Sequence, residues 1–294
     1  MSTILAEVYI RQAKPTKRRE VCELTEASRT QVLDLLAQDP LRSVQLRGMI
    51  EDFGICHPAH RGRFFGYFED RHLTAVALLG HAIVIYGDGV ALDYFAEKAA
   101  EIRVKGHVIF GPRAQVEAFT ERLSRCGREI ELVREFHWMV CHRAAASLNQ
   151  LQLRRANLDE LDMVVDAQAE MLLEATGSDP RVTDPEGFRR RVADRIERGR
   201  VWVRIQDGKV VFKADLQSVT EEVVYLEGIW THQDYRRRGI AKSCVTELTH
   251  RLLRRHMALC LVVEPDEEAA MEIYQHVGFK VAAEYRAHYL KPLP

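Results

Sequence analysis

Two rhythms of apolar residues alternate along this chain and divide it into strands and helices. Runs with a two-residue period mark strands in the first half at Phe64–Phe68, Leu73–Leu79, Ala82–Tyr86, His107–Phe110 and Ile130–Cys141. Apolar positions three and four apart mark helices: Val32, Leu33, Leu35 and Leu36 behind the capping candidate Thr25, then Leu41–Phe53, Ala91–Val104, and the set Val116, Phe119, Leu123 after Gly111-Pro112. The second half repeats the sequence of rhythms. Leu151–Arg154 reads as a strand, and a helix comes next with Asn157 as cap and Glu160 three places on. A polar loop at Thr176–Gly187 leads to a basic helix at Phe188–Glu197. Strands are expected at Val201–Ile205, Val210–Leu216, Val223–Trp230 and Leu259–Val263, and helices after Gly239 and at Glu267–Val277. Phe279–Leu290 supplies the last strands.

This order predicts a tandem repeat of one mixed α/β (α+β) fold, each copy a mostly antiparallel twisted sheet flanked by helices. Ala144–Gln150, small and polar between two β-like runs, is the linker candidate, giving domains at 1–145 and 150–294. A length of 294 residues suits two cores. Lys14, Lys17, Arg18 and Arg19 suggest an arm or an edge strand.

Charge and cysteine usage narrow the class. A net charge of −1 argues against a dedicated nucleic-acid binder, and no apolar run approaches the roughly 20 residues that cross a bilayer. Residues 1–20 carry seven charges and no apolar core for a secretory signal. Six cysteines without a CxxC pair fit reduced thiols, so the cytoplasm is the expected location. Cys56, His57 and His60 lack a second ligand pair, so no metal is expected. Cys244 and Cys260 read as core residues.

The chemistry concentrates in Tyr225–Ser243, YLEGIWTHQDYRRRGIAKS. A strand here runs into a glycine-bearing helix start, a device that aims backbone N–H groups and a helix dipole at phosphate. Arg236-Arg237-Arg238-Gly239-Ile240-Ala241 resembles the pyrophosphate loop of the GNAT (GCN5-related) N-acetyltransferases. Tyr274 to Phe279 (YQHVGF) resembles the ending of their fourth helix. IWTHQDYRRRG, with Gly111-Pro112 and Arg134-Glu135, resembles a bacterial two-domain subgroup whose N-terminal domain is DUF4081.

The resemblance implies an N-acetyltransferase that moves an acyl group from acetyl-CoA, or another acyl-CoA, to a primary amine, without metal. It implies a CoA site built from Ile229, Trp230 and Thr231 on the strand edge, Arg236 to Ala241 in the loop, and Lys242, Ser243 and Glu267. Tyr274 would protonate the departing thiolate. Glu227, a carboxylate inside an apolar run, is the candidate base, with burial raising its pKa; an ion pair with an arginine is the other reading. His232 is a weaker base candidate. Where the family often carries Asn, this chain has Glu267 within EPDEE. The first half has no such loop, since Gly87-Asp88-Gly89 is only a turn signal, and would shape or cover the acceptor site. A homo-oligomer is compatible with this reading. So is a different class, a non-catalytic module that binds acyl-CoA and reports on it.

Overall fold

The computed structural model describes residues 18–145 and 152–292. The first half forms β1 (Arg19–Glu23), α1 (Arg29–Leu36), α2 (Pro40–Phe53), β2 (Gly62–Glu69), β3 (His72–Gly80), β4 (Ala82–Tyr86), α3 (Val90–Glu101), β5 (Val108–Pro112), α4 (Arg113–Arg125) and β6 (Ile130–Cys141). The second forms β7 (Arg154–Arg155), α5 (Leu161–Thr176), α6 (Pro180–Thr183), α7 (Pro185–Glu197), β8 (Val201–Gln206), β9 (Lys209–Val219), β10 (Val223–Thr231), α8 (Ile240–Leu252), β11 (Ala258–Val263), α9 (Glu268–Val277) and β12 (Lys280–Leu290). Local signals account for most starts. Asp39 accepts the Arg42 amide at 3.2 Å in front of Pro40, a favourable first helical residue. Asn157 and Glu160 form the expected capping box.

Among the described residues twelve strands join one sheet in the order β1-β2-β3-β4-β5-β12-β6-β11-β10-β9-β8-β7. Only β4–β5 and β10–β11 are parallel pairs; the others are antiparallel. The last strand of each half lies in the other half's sheet. β6 pairs with β11, β12 pairs with β5, and the two meet at the centre from Lys280↔Val140 to Leu290↔Ile130. Met139 and Cys141 of β6 therefore belong to the second half's core with Leu259 and Val277, and Leu290 of β12 to the first half's core with Phe95 and Phe119.

Helices α3, α4, α8 and α9 cover one face of the sheet, and α1, α2, α5 and α7 the other. On the second face a ladder of rings crosses the centre. Trp138 stacks on Tyr285 with centroids 4.7 Å apart, and Tyr225 and Phe110 extend the row on either side. Leu41 and Val44 of α2 pack on it. The same helix crosses β9 so closely that a Cβ on Gly48 would stand 2.6 Å from Ser218 Cβ. Arg47 bridges Glu51 at 2.7 Å and Glu222 at 2.6 Å, and Arg200 reaches Asp52 at 2.5 Å, so α2 of the first half is bound to the second.

Several boundaries differ from expectation. Phe279–Leu290 gives one long strand rather than several. The polar loop at Thr176–Gly187 contains the short helix α6, capped by Asp179. The strand expected at Leu151–Arg154 is Arg154–Arg155; Leu151, most of the linker and Lys14 and Lys17 fall outside the described residues. Arg19 begins an edge strand.

The shared sheet predicts one cooperative thermal transition for both halves in calorimetry. Truncation of Trp138 to Ala should remove about 3–5 kcal/mol in denaturant unfolding and shift that single transition. Two resolved transitions, with only one moving, would contradict this.

Candidate active site

β10 and β11 begin as neighbours and then part. They pair from Val223↔Ala258 to Tyr225↔Cys260 and no further, while β11 stays held by β6 up to Val263↔His137. Leu226 to Thr231 thus line a wedge between two parallel strands. On its other side β10 runs beside β9 with a register shift between Glu227 and Trp230, which leaves Gly228 and Ile229 in a bulge. Gly228 has φ +58, and a Cβ there would meet Asp215 Oδ2 at 3.0 Å and Lys213 Nζ at 3.1 Å. Glycine is needed at this position for both reasons.

Beyond Thr231 the chain makes a single 3-10 turn, Gln233–Tyr235, capped by the His232 ring, whose Nδ1 accepts the Asp234 amide at 3.2 Å. Gly239, at φ +74, is the N-cap of α8, and Ser243 N–H to Gly239 O (3.0 Å) is the helix's first bond. The amides of Ile240, Ala241 and Lys242 in the first turn therefore point out of the helix end. Among the described residues, none beyond its chain neighbours comes within 4 Å of where a Gly239 Cβ would be, so the glycine answers to its backbone angle and leaves open space beside the loop. Arg236 is tethered, donating to Thr231 O (2.9 Å) and Glu174 (2.5 Å); Arg238 lies over the Tyr235 ring at 5.3 Å. Arg237, Arg238 and Lys242 are exposed, with Ser243 half-buried one residue further.

Tyr274 meets this loop from α9. It is 8% exposed, in one cluster with Ile240 of α8, Leu226 of β10 and Val263 of β11, and Ile229 packs against that cluster. Burial, reinforced by the Glu267 charge, pushes its pKa far above the ordinary phenol value, so the hydroxyl keeps its proton. Glu267 is the exposed N-cap of α9, and Glu264 of the same acidic stretch is paired with Arg134. Ile229, Thr231, Tyr274 and the loop from Arg236 to Ala241 are thus brought around one wedge. Trp230 is placed differently: its side chain is buried on the other face, among α5 and α7, leaving only backbone for the wedge.

Glu227 departs from expectation more sharply. It is exposed, because β10 has already left β11 and the bulge shifts the strand immediately after it; the burial invoked for it is not found. Its ladder partner is Asp215, and behind the bulge lies a charge cluster that the sequence did not announce. Lys213 is 0% and Asp215 2% exposed. Lys213 Nζ donates to Asp215 Oδ2 at 2.8 Å and to Gly228 O at 3.3 Å, and Arg195 of α7 donates to the same Oδ2 at 3.0 Å. Burial pushes the Lys213 pKa down against the pull of Asp215. The available sequence signals were a lysine and an aspartate two apart in an apolar strand, and a glycine within β10.

A glycine-led helix start beside a splayed sheet edge is an arrangement suited to a phosphate-bearing ligand. Similarity to known proteins agrees. Residues 168–279 match the model of the acetyltransferase (GNAT) family, and residues 62–164 match that of the domain of unknown function DUF4081. The GNAT match lies within the second half, and the DUF4081 match covers much of the first half and runs on to the start of α5. No curated protein matches the chain. Among solved structures, a Drosophila protein is similar at TM-score 0.65 and 13% identity, covering 92% of this chain and 98% of its own. A tandem GNAT protein from the clavulanic acid biosynthesis pathway is similar at 0.59 and 12%, with the same coverages, and a GNAT-family acetyltransferase from Colwellia psychrerythraea at 0.56 and 16%, covering 93% and 100%. At these identities the likeness shows the fold alone. Among the described residues no helix is long and apolar enough to cross a membrane, and no cluster of His, Cys, Asp and Glu could hold a metal.

Breaking the buried pair should be costly. Lys213→Met leaves Asp215 to Arg195 alone and should lose about 3–5 kcal/mol in urea unfolding. The double variant Lys213→Met/Asp215→Leu should recover most of that, since Arg195, with 40% of its side chain exposed, can turn to water. A double variant as unstable as the sum of its singles would show that the pair is not coupled.

Proposed function

We propose that the second half transfers an acyl group, acetyl in the first instance, from a CoA thioester to a primary amine by direct attack. The observation that carries this reading is the convergence of three features on one wedge: the bulged edge of β10, the Gly239 helix start and the protonated Tyr274. The diphosphate would lie on the amides of Arg238 to Ala241, with Arg237, Arg238, Lys242 and Ser243 around it and Arg236 bracing the loop. The pantetheine would run along Ile229 to Thr231, ending near Glu267 and the first turn of α9.

The amine nitrogen forms a bond to the thioester carbonyl carbon, and the carbonyl oxygen takes negative charge. Backbone N–H groups of the Gly228–Ile229 bulge are suited to receive it, because the bulge frees them from strand register and Lys213 holds the Gly228 carbonyl to the opposite side. As the carbon–sulfur bond breaks, the Tyr274 hydroxyl donates to the sulfur. With its pKa so far above a thiol's ordinary value of about 8.5, it stabilises the departing thiolate as a hydrogen-bond donor while keeping its own proton, and the thiolate takes its proton from solvent. Exposed Glu227 takes the proton released by the amine, through water, and its charge attracts a cationic acceptor. The first half would shape the acceptor side through α2, which packs against β9 and β10. A cytoplasmic location fits this chemistry.

Turnover separates the enzyme from a silent CoA-binding module. Thiol release from acetyl-CoA with a panel of amines should fall about 100-fold in kcat for Tyr274→Phe, at unchanged CoA affinity. Full activity in that variant would remove the phenol from the mechanism. Gly239→Ala meets no protein atom, so it should fold normally yet weaken CoA binding at least about tenfold by calorimetry, through strain at φ +74 and intrusion on the loop. Wild-type protein that takes up no CoA would sink both readings.

A further inference from the structure

We infer that the first half holds a second anion site, for a phosphate-bearing small molecule, at the end of its sheet opposite the Gly87–Gly89 turn. A cavity of about 420 Å³ opens there between the start of β2, the β3–β4 turn and the segment after α3. Arg61, Arg63, His81, Arg103 and Lys105 line it, and no carboxylate does. Arg63 is engaged with Glu23 at 2.8 Å, whereas Arg61, Arg103 and Lys105 are exposed and have no ion-pair partner among the described residues. Arg61 and Arg103 stand at φ +50 and +46, turn positions where glycine would be less strained, yet both are arginine.

The backbone brings these groups close. A Cβ on Gly62 would stand 2.6 Å from Gly80 Cα, so the two turns touch, and His81 N–H donates to Arg61 O at 2.9 Å. His107 N–H donates in turn to His81 O at 2.8 Å, and the two imidazoles stack with centroids 5.2 Å apart. Burial, then the charges of Arg61 and His107, push the His81 pKa down.

Arg128 does not line the cavity but lies behind its wall, joined to the segment after α3 through Gly106. It is 7% exposed and donates once, from Nη2 to the carbonyl of Gly106, the residue after Lys105, at 3.0 Å. Its Nε and Nη1 are buried without a partner, and burial alone pushes its pKa down, so no carboxylate compensates it. Glu129 beside it is held by Lys291 at 2.6 Å. An unpaired buried guanidinium is a standing electrostatic deficit that an anion would cancel. The exposed carbonyls at the α3 C-terminus attract one or two cations, but this cluster exceeds that need. A diphosphate matches the charge and fits the volume. The place that corresponds to the Gly239 loop in this half is unsuitable, since Asp88 occupies it, gripped by Arg42 at 2.7 and 2.8 Å.

Inorganic pyrophosphate is the probe, titrated calorimetrically into the full chain carrying Arg237→Ala/Arg238→Ala, which weakens the other loop. One binding event is expected there, and adding Arg61→Ala/Lys105→Ala should lower its affinity at least tenfold. ADP in place of pyrophosphate assigns the source: tighter binding indicates a nucleotide, equal binding a free diphosphate. Absence of binding in the loop variant, or equal affinity after the cavity substitutions, would overturn the site.

Discussion

The antiparallel pairing of β6 with β12 is the interaction on which the rest of this molecule depends. It pairs the two strands along ten register positions, and because β12 also covers the edge of β5 and β6 the edge of β11, it joins the two halves into one sheet. The Trp138–Tyr285 stack lies directly upon it, and α2 covers that stack from the first half. Because β11 is fastened by β6 along its whole length, it cannot accompany β10 when β10 turns away. The wedge at the candidate active site is therefore a product of two restraints, one from each half.

The second restraint is electrostatic. A lysine and an aspartate with no contact to water are an expensive way to build a strand, and their attraction roughly offsets their desolvation. The gain is geometric: the ammonium fixes one carbonyl of the bulge, and the glycine next to it has room for nothing larger. Stability and positioning compete at this point, as at Arg128, whose guanidinium has one carbonyl partner and no carboxylate to offset its burial.

Features carried by short segments were legible in the sequence. The strand rhythm located β2, β3, β4, β6 and β8 to within two residues, and the capping box and the glycine ends of α8 and α9 were written in single residues. The loop from Arg236 to Ala241 and Tyr274 were readable because each belongs to a local pattern. The exchange of β6 and β12 was not. Both carry the alternation of an ordinary terminal strand, and a strand's own pattern does not say whose edge it completes. Glu227 misled for a related reason, because its apolar neighbours promised burial that depends on a partner strand, and that partner had already departed. Lys213 and Asp215 were hidden by averaging: two charges in an apolar strand look like a solvated face until α7 and α5 are placed over them.

The exchanged strands also set an order of events during synthesis. When the first half has left the ribosome, β5 and β6 both present unpaired backbone, and the strand that belongs between them is encoded at residues 280–290. The nascent chain carries two open edges until residues 280–290 have been made, a state that favours pairing with other chains. Closure then requires contacts between residues far apart in the chain, such as Lys280 with Val140, which makes it slow relative to helix formation. The centre of the sheet is thus completed only once a strand about 140 residues after its neighbour β6 has been made, which exposes the intermediate to association with other chains.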